Sequence, residues 1–128
     1  MTHSPSCRRP AALRRSWMFV PGLDAAAQAA GLASGTDALV ADLEEFTAKV
    51  ERPAARPRIA ALFAECRAQG VVAAVRINKL EDDGMADLRG VMPGAPDAVF
   101  LPHAESAAQI AALDQAITAL EALSLIHI

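Results

Sequence analysis

The stretch ALVADLEEF, residues 38–46, decides how this chain folds. Its first four residues are apolar without alternation, and then Asp42, Glu44 and Glu45 set three carboxylates within four positions. A run that is apolar at consecutive positions suits a strand buried on both faces, as in a parallel sheet, rather than one with a wet face. Three other runs share the plan: WMFV at 17–20, VVAAVRI at 71–77 and DAVFL at 97–101. Each is followed by polar or turn-forming residues.

The segments between these runs carry helical signals. Asp24 is placed to cap an alanine-rich helix running towards Gly35. Pro53 suits a first helical turn, and Ile59, Leu62, Phe63 and Cys66 then keep i, i+3, i+4, i+7 spacing up to Gly70. Pro57 is expected to leave that first turn irregular. A short helix is expected over 82–90. A last one opens at Ser106, with Gln109 completing a capping box and Ile110, Leu113, Ile117 and Leu120 as its apolar stripe. Strand and helix therefore alternate four times, which predicts a parallel α/β architecture.

Composition narrows the class. The 128 residues are 53% hydrophobic but only 4% aromatic, so the core rests on aliphatic side chains. A net charge of −3 gives no reason to expect nucleic acid or an anionic membrane as partner. Arg8, Arg9, Arg14 and Arg15 crowd the start of the chain, and residues 1–13 are read as a solvated, disordered leader. Pro21, Gly22 and Asp24 interrupt the apolar stretch that a signal peptide would need. No apolar run approaches membrane-spanning length. Cys7 and Cys66 lack metal-ligand spacing, and Cys66 reads as buried filler on a helix face. A soluble protein of a reducing, cytoplasmic compartment is expected.

Parallel strands bring their C-terminal ends to one face, where α/β proteins carry their sites. Pro21 and Gly22, then Asp42 and Glu44, then Arg76, Asn78 and Lys79, and finally His103 and Glu105 should converge there. Arg76 ends a run as apolar as VVAAV and needs an anion to match its planar fork. That anion is either an internal carboxylate, Asp42 or Glu44, or the carboxylate of a substrate; spacing alone does not choose. Alternation points Asp42 and Glu44 to the same side, which leaves Glu45 to solvent. His103 and Glu105 are weak candidates for acid–base work, and neither is assigned without geometry.

The stretches RRSWMFVPG, DALVADLEEFTAKVERPAAR, AVRIN and FLPHAESAAQ occur in the order and spacing of the HpcH/HpaI aldolase and citrate lyase β-subunit family, which residues 14–122 resemble. The resemblance implies the N-terminal half of a (β/α)8 TIM barrel, about four βα units. It implies a Mg2+-dependent carbon–carbon lyase acting on oxo or hydroxy acids, or on their CoA thioesters. Arg76 would hold the substrate carboxylate, Pro21 and Gly22 would line the substrate entrance, and Asp42, Glu44 and Asn78 would form the shell behind them. In this family the metal-binding carboxylates come from the fifth and sixth strands, so no metal ligand is expected among these residues.

The sequence departs from the family pattern at Glu45, where aspartate is usual, at His103, where lysine is usual, and at Arg52, where lysine is frequent. The His103 replacement removes a fixed cation and keeps open the alternative of a non-catalytic ligand-binding or scaffolding subunit. LSLIHI, residues 123–128, resembles a translated sequencing-library adapter end and is set aside from fold reasoning; the other reading is a genuine apolar strand. The chain is expected to be an N-terminal piece of a larger protein, inactive by itself. With two bare sheet edges it is expected to associate, and the complete protein to be a homo-oligomer.

Overall fold

The computed structural model describes residues 8–127. Its elements are β1 (Trp17–Pro21), α1 (Ala25–Ala33), β2 (Ala38–Asp42), α2 (Arg52–Ala68), β3 (Val72–Arg76), α3 (Met85–Val91), β4 (Ala98–Phe100) and α4 (Ala107–His127). The four strands form one parallel sheet in the order β1-β2-β3-β4, so each helix crosses over to the neighbouring strand.

The helix signals act as expected at three ends. Asp24 Oδ1 accepts from the Ala27 amide at 2.9 Å and caps α1. The Ser106 hydroxyl accepts from the Gln109 amide at 3.3 Å, while Gln109 Oε1 accepts from the Glu105 and Ser106 amides, which closes the capping box of α4. Pro53 lies in the first turn of α2. Pro57 sits inside α2 and removes one backbone bond; the irregular turn comes earlier, as a 3-10 turn over Lys49–Glu51.

Three expectations are corrected. The short third helix does not begin at Asp82. A wide turn over Leu80–Gly84 precedes it, with Asp82 outside helical geometry (φ −99°, ψ −124°), because the chain must fold back under Asn78 and Lys79. Burial on both faces holds for β2, with all five residues buried, and nearly so for β3; β1 and β4 are edges, and Trp17, Met18 and Phe19 stay more than a third exposed. The stripe of α4 rotates: Leu113, Ile117 and Leu120 meet the core, whereas Ile110 is exposed. The backbone of α4 continues past Ala122 to His127, since no glycine or proline stops it.

Alternation sorts the sheet into two faces. Leu39, Ala41 and Leu43, with Ala73, Val75 and Ile77, pack against Ile59, Leu62, Phe63 and Cys66 of α2 and Leu88 and Val91 of α3. This is the core. Burial there pushes the Cys66 thiol up to about 12, so it remains an inert hydrophobe. The other face carries small residues on the middle strands (Val40, Ala74) and aromatic residues on the edges (Trp17, Phe19, Phe100).

Phe100 meets Trp17 edge-on with ring centroids 5.5 Å apart, and Phe19 at 5.9 Å. Three strand spacings separate β1 from β4, about 14 Å along a flat sheet. Contact between the rings therefore requires a curled sheet, concave on the aromatic side. Trp17 and Phe100 also lie four residues apart in register, in the sense that barrel tilt demands: strands inclined by about 36° shift level by roughly one residue per strand. The sheet is an arc of a barrel.

At the opposite end of the strands, residues 8–13 lie along the sheet. Arg8 pairs with Asp97 at 3.1 Å and Arg9 with Asp37 at 3.0 Å, and Ala11–Leu13 form a 3-10 turn. Residues 1–7 of the expected leader and Ile128 lie outside the described residues.

Candidate functional site

Register alone aligns Pro21, Asp42, Arg76 and Phe100 in one row at the C-terminal edge of the sheet. Within that row Asp42 and Arg76 are neighbours on the concave face. Arg76 Nε donates to Asp42 Oδ1 at 2.9 Å and Nη2 to Oδ2 at 2.6 Å, a bidentate pair. The internal carboxylate thus takes one edge of the guanidinium. Its plane lies over Phe19, with Cζ 4.9 Å from the ring centroid.

Asp42 is fully buried, and its remaining lone pairs are also used. Oδ1 accepts from the Glu44 amide at 2.9 Å and Oδ2 from the Phe46 amide at 3.1 Å. Burial alone would raise its pKa, but the Arg76 hydrogen bond, the two amides and the arginine charge together hold the carboxyl below its ordinary range. The Asp42 hydrogen bond, set against burial, raises Arg76 in turn. Glu44 Oε1 lies 3.7 Å from Arg76 Nε, and the more exposed Glu45 reaches 3.7 Å from Nη2.

The Pro21–Gly22 turn is built into this site from both sides. The Thr47 hydroxyl donates to the Asp42 carbonyl at 2.6 Å and accepts from the Gly22 amide at 2.9 Å, tying the first loop to the second. The buried Gln28 donates to the Pro21 and Gly22 carbonyls, both at 3.0 Å, and is itself held by Arg58 Nε. A Cβ at Gly22 would lie 2.9 Å from Thr47 Oγ1 and 3.0 Å from Ile59, so packing requires glycine there. Its amide is spent within the protein.

Asn78 stands behind Arg76. Its Nδ2 donates to the Leu43 carbonyl at 2.9 Å and to Asp87 Oδ2 at 2.8 Å. Asp87 also accepts from the Asn78 amide and from Arg56 Nε, both at 2.9 Å. One turn earlier, Arg52 Nη1 donates to Asp83 at 2.9 Å and Nη2 to the Glu44 carbonyl at 3.2 Å. Two arginines one turn apart on α2 therefore meet two aspartates four residues apart around the start of α3. Sequence reasoning missed Asp87, Arg56, Gln28 and Thr47. The paired spacing of Arg52 and Arg56 with Asp83 and Asp87 was the available signal.

The fourth strand contributes least. His103 adopts a left-handed backbone (φ 53°), uncommon for a residue with a side chain, and its Nε2 is 4.0 Å from Glu44 Oε2. It borders a small pocket of about 90 Å³ with Lys79, Leu80 and Leu101. Glu105 is exposed, and no hydrogen bond or ion pair among the described residues joins its side chain to the Arg76 cluster.

These carboxylates do not fit a Mg2+ shell. Asp42 has no lone pair to spare, and no group of three or more His, Cys, Asp or Glu among the described residues could hold a metal ion. No helix among them is long and apolar enough to cross a membrane.

A family model for HpcH/HpaI aldolase/citrate lyase matches residues 15–123. The chain belongs to that family. Citrate lyase subunit beta of Haemophilus influenzae is 34% identical over 110 residues, covering 85% of this chain but 38% of the relative. Among solved structures, the citrate lyase beta subunit of M. tuberculosis, complexed with oxaloacetate and magnesium, superposes with a TM-score of 0.63 at 33% identity. That match covers 79% of this chain and 45% of the other. RipC from Yersinia pestis gives a TM-score of 0.61 at 28% identity, over 82% and 41%. The chain thus spans less than half the length of these relatives.

Proposed function

We propose that this chain supplies the carboxylate-binding half of a Mg2+-dependent carbon–carbon lyase, one acting on oxo or hydroxy acids or their CoA thioesters. The observation that carries this reading is the way Arg76 is shared. Asp42 takes Nε and one hydrogen of Nη2; no hydrogen-bond partner among the described residues takes Nη1, and at the rest of Nη2 the exposed Glu45 stands 3.7 Å away, outside hydrogen-bond reach, where a substrate carboxylate would displace it. A guanidinium so fixed on one edge presents a second, preoriented fork, and a substrate carboxylate fits it bidentately. Phe19 beneath the fork excludes water from one side. Pro21 and Gly22 border the entrance, with Glu44 and Asn78 as supports.

Arg76 in this role binds a group that does not react. It gives similar affinity to substrate and transition state, so it governs orientation and binding more than the bond-breaking step. The metal, whose donors the family resemblance assigns to two further strands, belongs to the proposed complete protein, as do its homo-oligomeric state and cytoplasmic location. The chain alone is proposed to bind and not to cleave. His103, exposed and lacking a fixed charge, would also suit a binding subunit that has lost chemistry. Mg2+-dependent cleavage by the complete protein separates the two.

Oxaloacetate is the natural probe, since a solved relative carries it. Titrated into the 15N-labelled chain, it is expected to shift the Arg76 Nε–Hε resonance saturably, with a Kd of about 1 mM for a half-built site. Arg76→Met should abolish the oxaloacetate-induced shifts of the backbone amides around residues 42–46 and 76–78, which are read in the same titration, and added Mg2+ should yield no turnover of malyl-CoA. An Arg76 resonance that stays still well above that concentration overturns the binding role. Turnover by the chain alone overturns the claim of inactivity.

A further inference from the structure

We infer that Asp87 is a positioning residue for Arg76, acting from the back of the site through a continuous buried polar relay. This rests on the reading of Arg76 as the carboxylate-binding group. From Asp87 Oδ2, the relay passes to Asn78 Nδ2 at 2.8 Å and from the same nitrogen to the Leu43 carbonyl at 2.9 Å. The Leu43 carbonyl and the Glu44 amide are two ends of one peptide plane. That amide donates to Asp42 Oδ1 at 2.9 Å, and the same oxygen accepts from Arg76 Nε at 2.9 Å. Carboxylate, amide, peptide, carboxylate and guanidinium follow one another through direct hydrogen bonds.

Each link has one orientation available. Both hydrogens of Asn78 Nδ2 are used on oxygen acceptors, which fixes the amide against a flip. The Leu43 amide donates to the Arg76 carbonyl at 2.9 Å, so the residue that Asn78 holds is pinned on its other side too. Asp87 and Asp42 are fully buried and Asn78 nearly so, which keeps solvent from replacing a lost link. Arg56 Nε donates to Asp87 Oδ1 at 2.9 Å and places a countercharge beside that buried side chain, which holds it in place. Tilting the Leu43–Glu44 peptide would turn Asp42 and, with it, the open fork of Arg76. The neighbouring Arg52–Asp83 pair touches the Glu44 carbonyl and bypasses this line.

The test reads Arg76 without ligand, so it stands apart from the binding assay. Hydrogen exchange of Arg76 Hε is followed by NMR in the 15N-labelled chain, its Asp87→Asn, Asn78→Ala and Asp83→Asn variants, and the Asp87→Asn/Asn78→Ala double variant. Asp87→Asn and Asn78→Ala are each expected to speed exchange by about tenfold, the factor equivalent to one net hydrogen bond. The double variant should be no faster than the faster single one, because both cut the same line. Asp83→Asn should lower the melting temperature and leave Arg76 Hε alone. Unchanged exchange in Asn78→Ala, which removes no charge and tests the relay even if Asp87→Asn does not fold, overturns the inference. Additive effects in the double variant, or an Asp83→Asn effect of equal size, overturn it as well.

Discussion

Replacing Asp42 with alanine is expected to destabilise the chain by about 3 kcal/mol, the loss typical of removing one member of a buried ion pair. The substitution strips four hydrogen bonds at once: two from Arg76 and the amides of Glu44 and Phe46. Arg76 retains some access to water, which keeps the expected loss at the lower end of the range. Urea unfolding measures it as a fall in midpoint at unchanged slope. Replacing both partners, with Asp42→Leu and Arg76→Met together, should recover much of the loss, because no charge is then left buried and alone. A double variant as unstable as Asp42→Ala would show that the penalty lies in the backbone amides instead.

The same pair contributes to the acid limb of stability, alongside Asp37 and Asp83, whose carboxyls are also depressed. The Asp42 carboxyl titrates below its unfolded value: burial opposes this, but the Arg76 hydrogen bond, the two amides and the arginine charge outweigh burial. A carboxyl depressed in the folded state contributes stability above its unfolded pKa and loses it as pH falls through the folded one. Stability should therefore decline below about pH 4, and Asp42→Asn should flatten that decline.

Most of the architecture was legible because it rests on local signals. Continuous apolar runs marked the strands, Asp24 and the Ser106–Gln109 box marked helix starts, and the desolvated end of VVAAVRI announced that Arg76 needs an anion. What the sequence left open was which partner each polar group finds in space. Asp42 lies 34 residues before Arg76, and only strand register makes them neighbours. Asp87 sits in MADLRGV, where a carboxylate reads as the wet face of a weak helix. The kinked turn before it instead rotates that carboxylate inward onto Asn78 and Arg56. Gly22 reads as room for a ligand, yet Thr47 and Ile59 occupy that room. The exposure of β1 escaped for a different reason: its apolarity suits a buried position, and four strands leave it at an edge.

Gly84→Ala sets two principles against each other and is expected to destabilise the chain by about 2 kcal/mol, since overpacking that displaces backbone outweighs helix propensity. Gly84 has ordinary helical dihedrals (φ −56°, ψ −42°) at the entrance to α3. Propensity alone would favour alanine there by nearly 1 kcal/mol. A Cβ at this position, however, would run into the carbonyl oxygen of Asn78 and come within 2.6 Å of that of Lys79 and 2.8 Å of the Lys79 carbonyl carbon. These are main-chain atoms of one wide turn, closed by the Gly84 amide on the Lys79 carbonyl at 3.0 Å, and no rotamer relieves them. The turn must open, and Asn78 moves with it. Gly35 is the control: its φ of +84° strains any alanine, but nothing lies within 4 Å of a Cβ there. Gly35→Ala should cost about 1 kcal/mol of backbone strain and leave the Arg76 resonance in place. Gly84→Ala should lower the melting temperature by roughly 6–10 °C and shift that resonance. A Gly84→Ala chain as stable as the parent would mean that the turn over Leu80–Gly84 relaxes at no cost, and that Asn78 is held less firmly than its three hydrogen bonds imply.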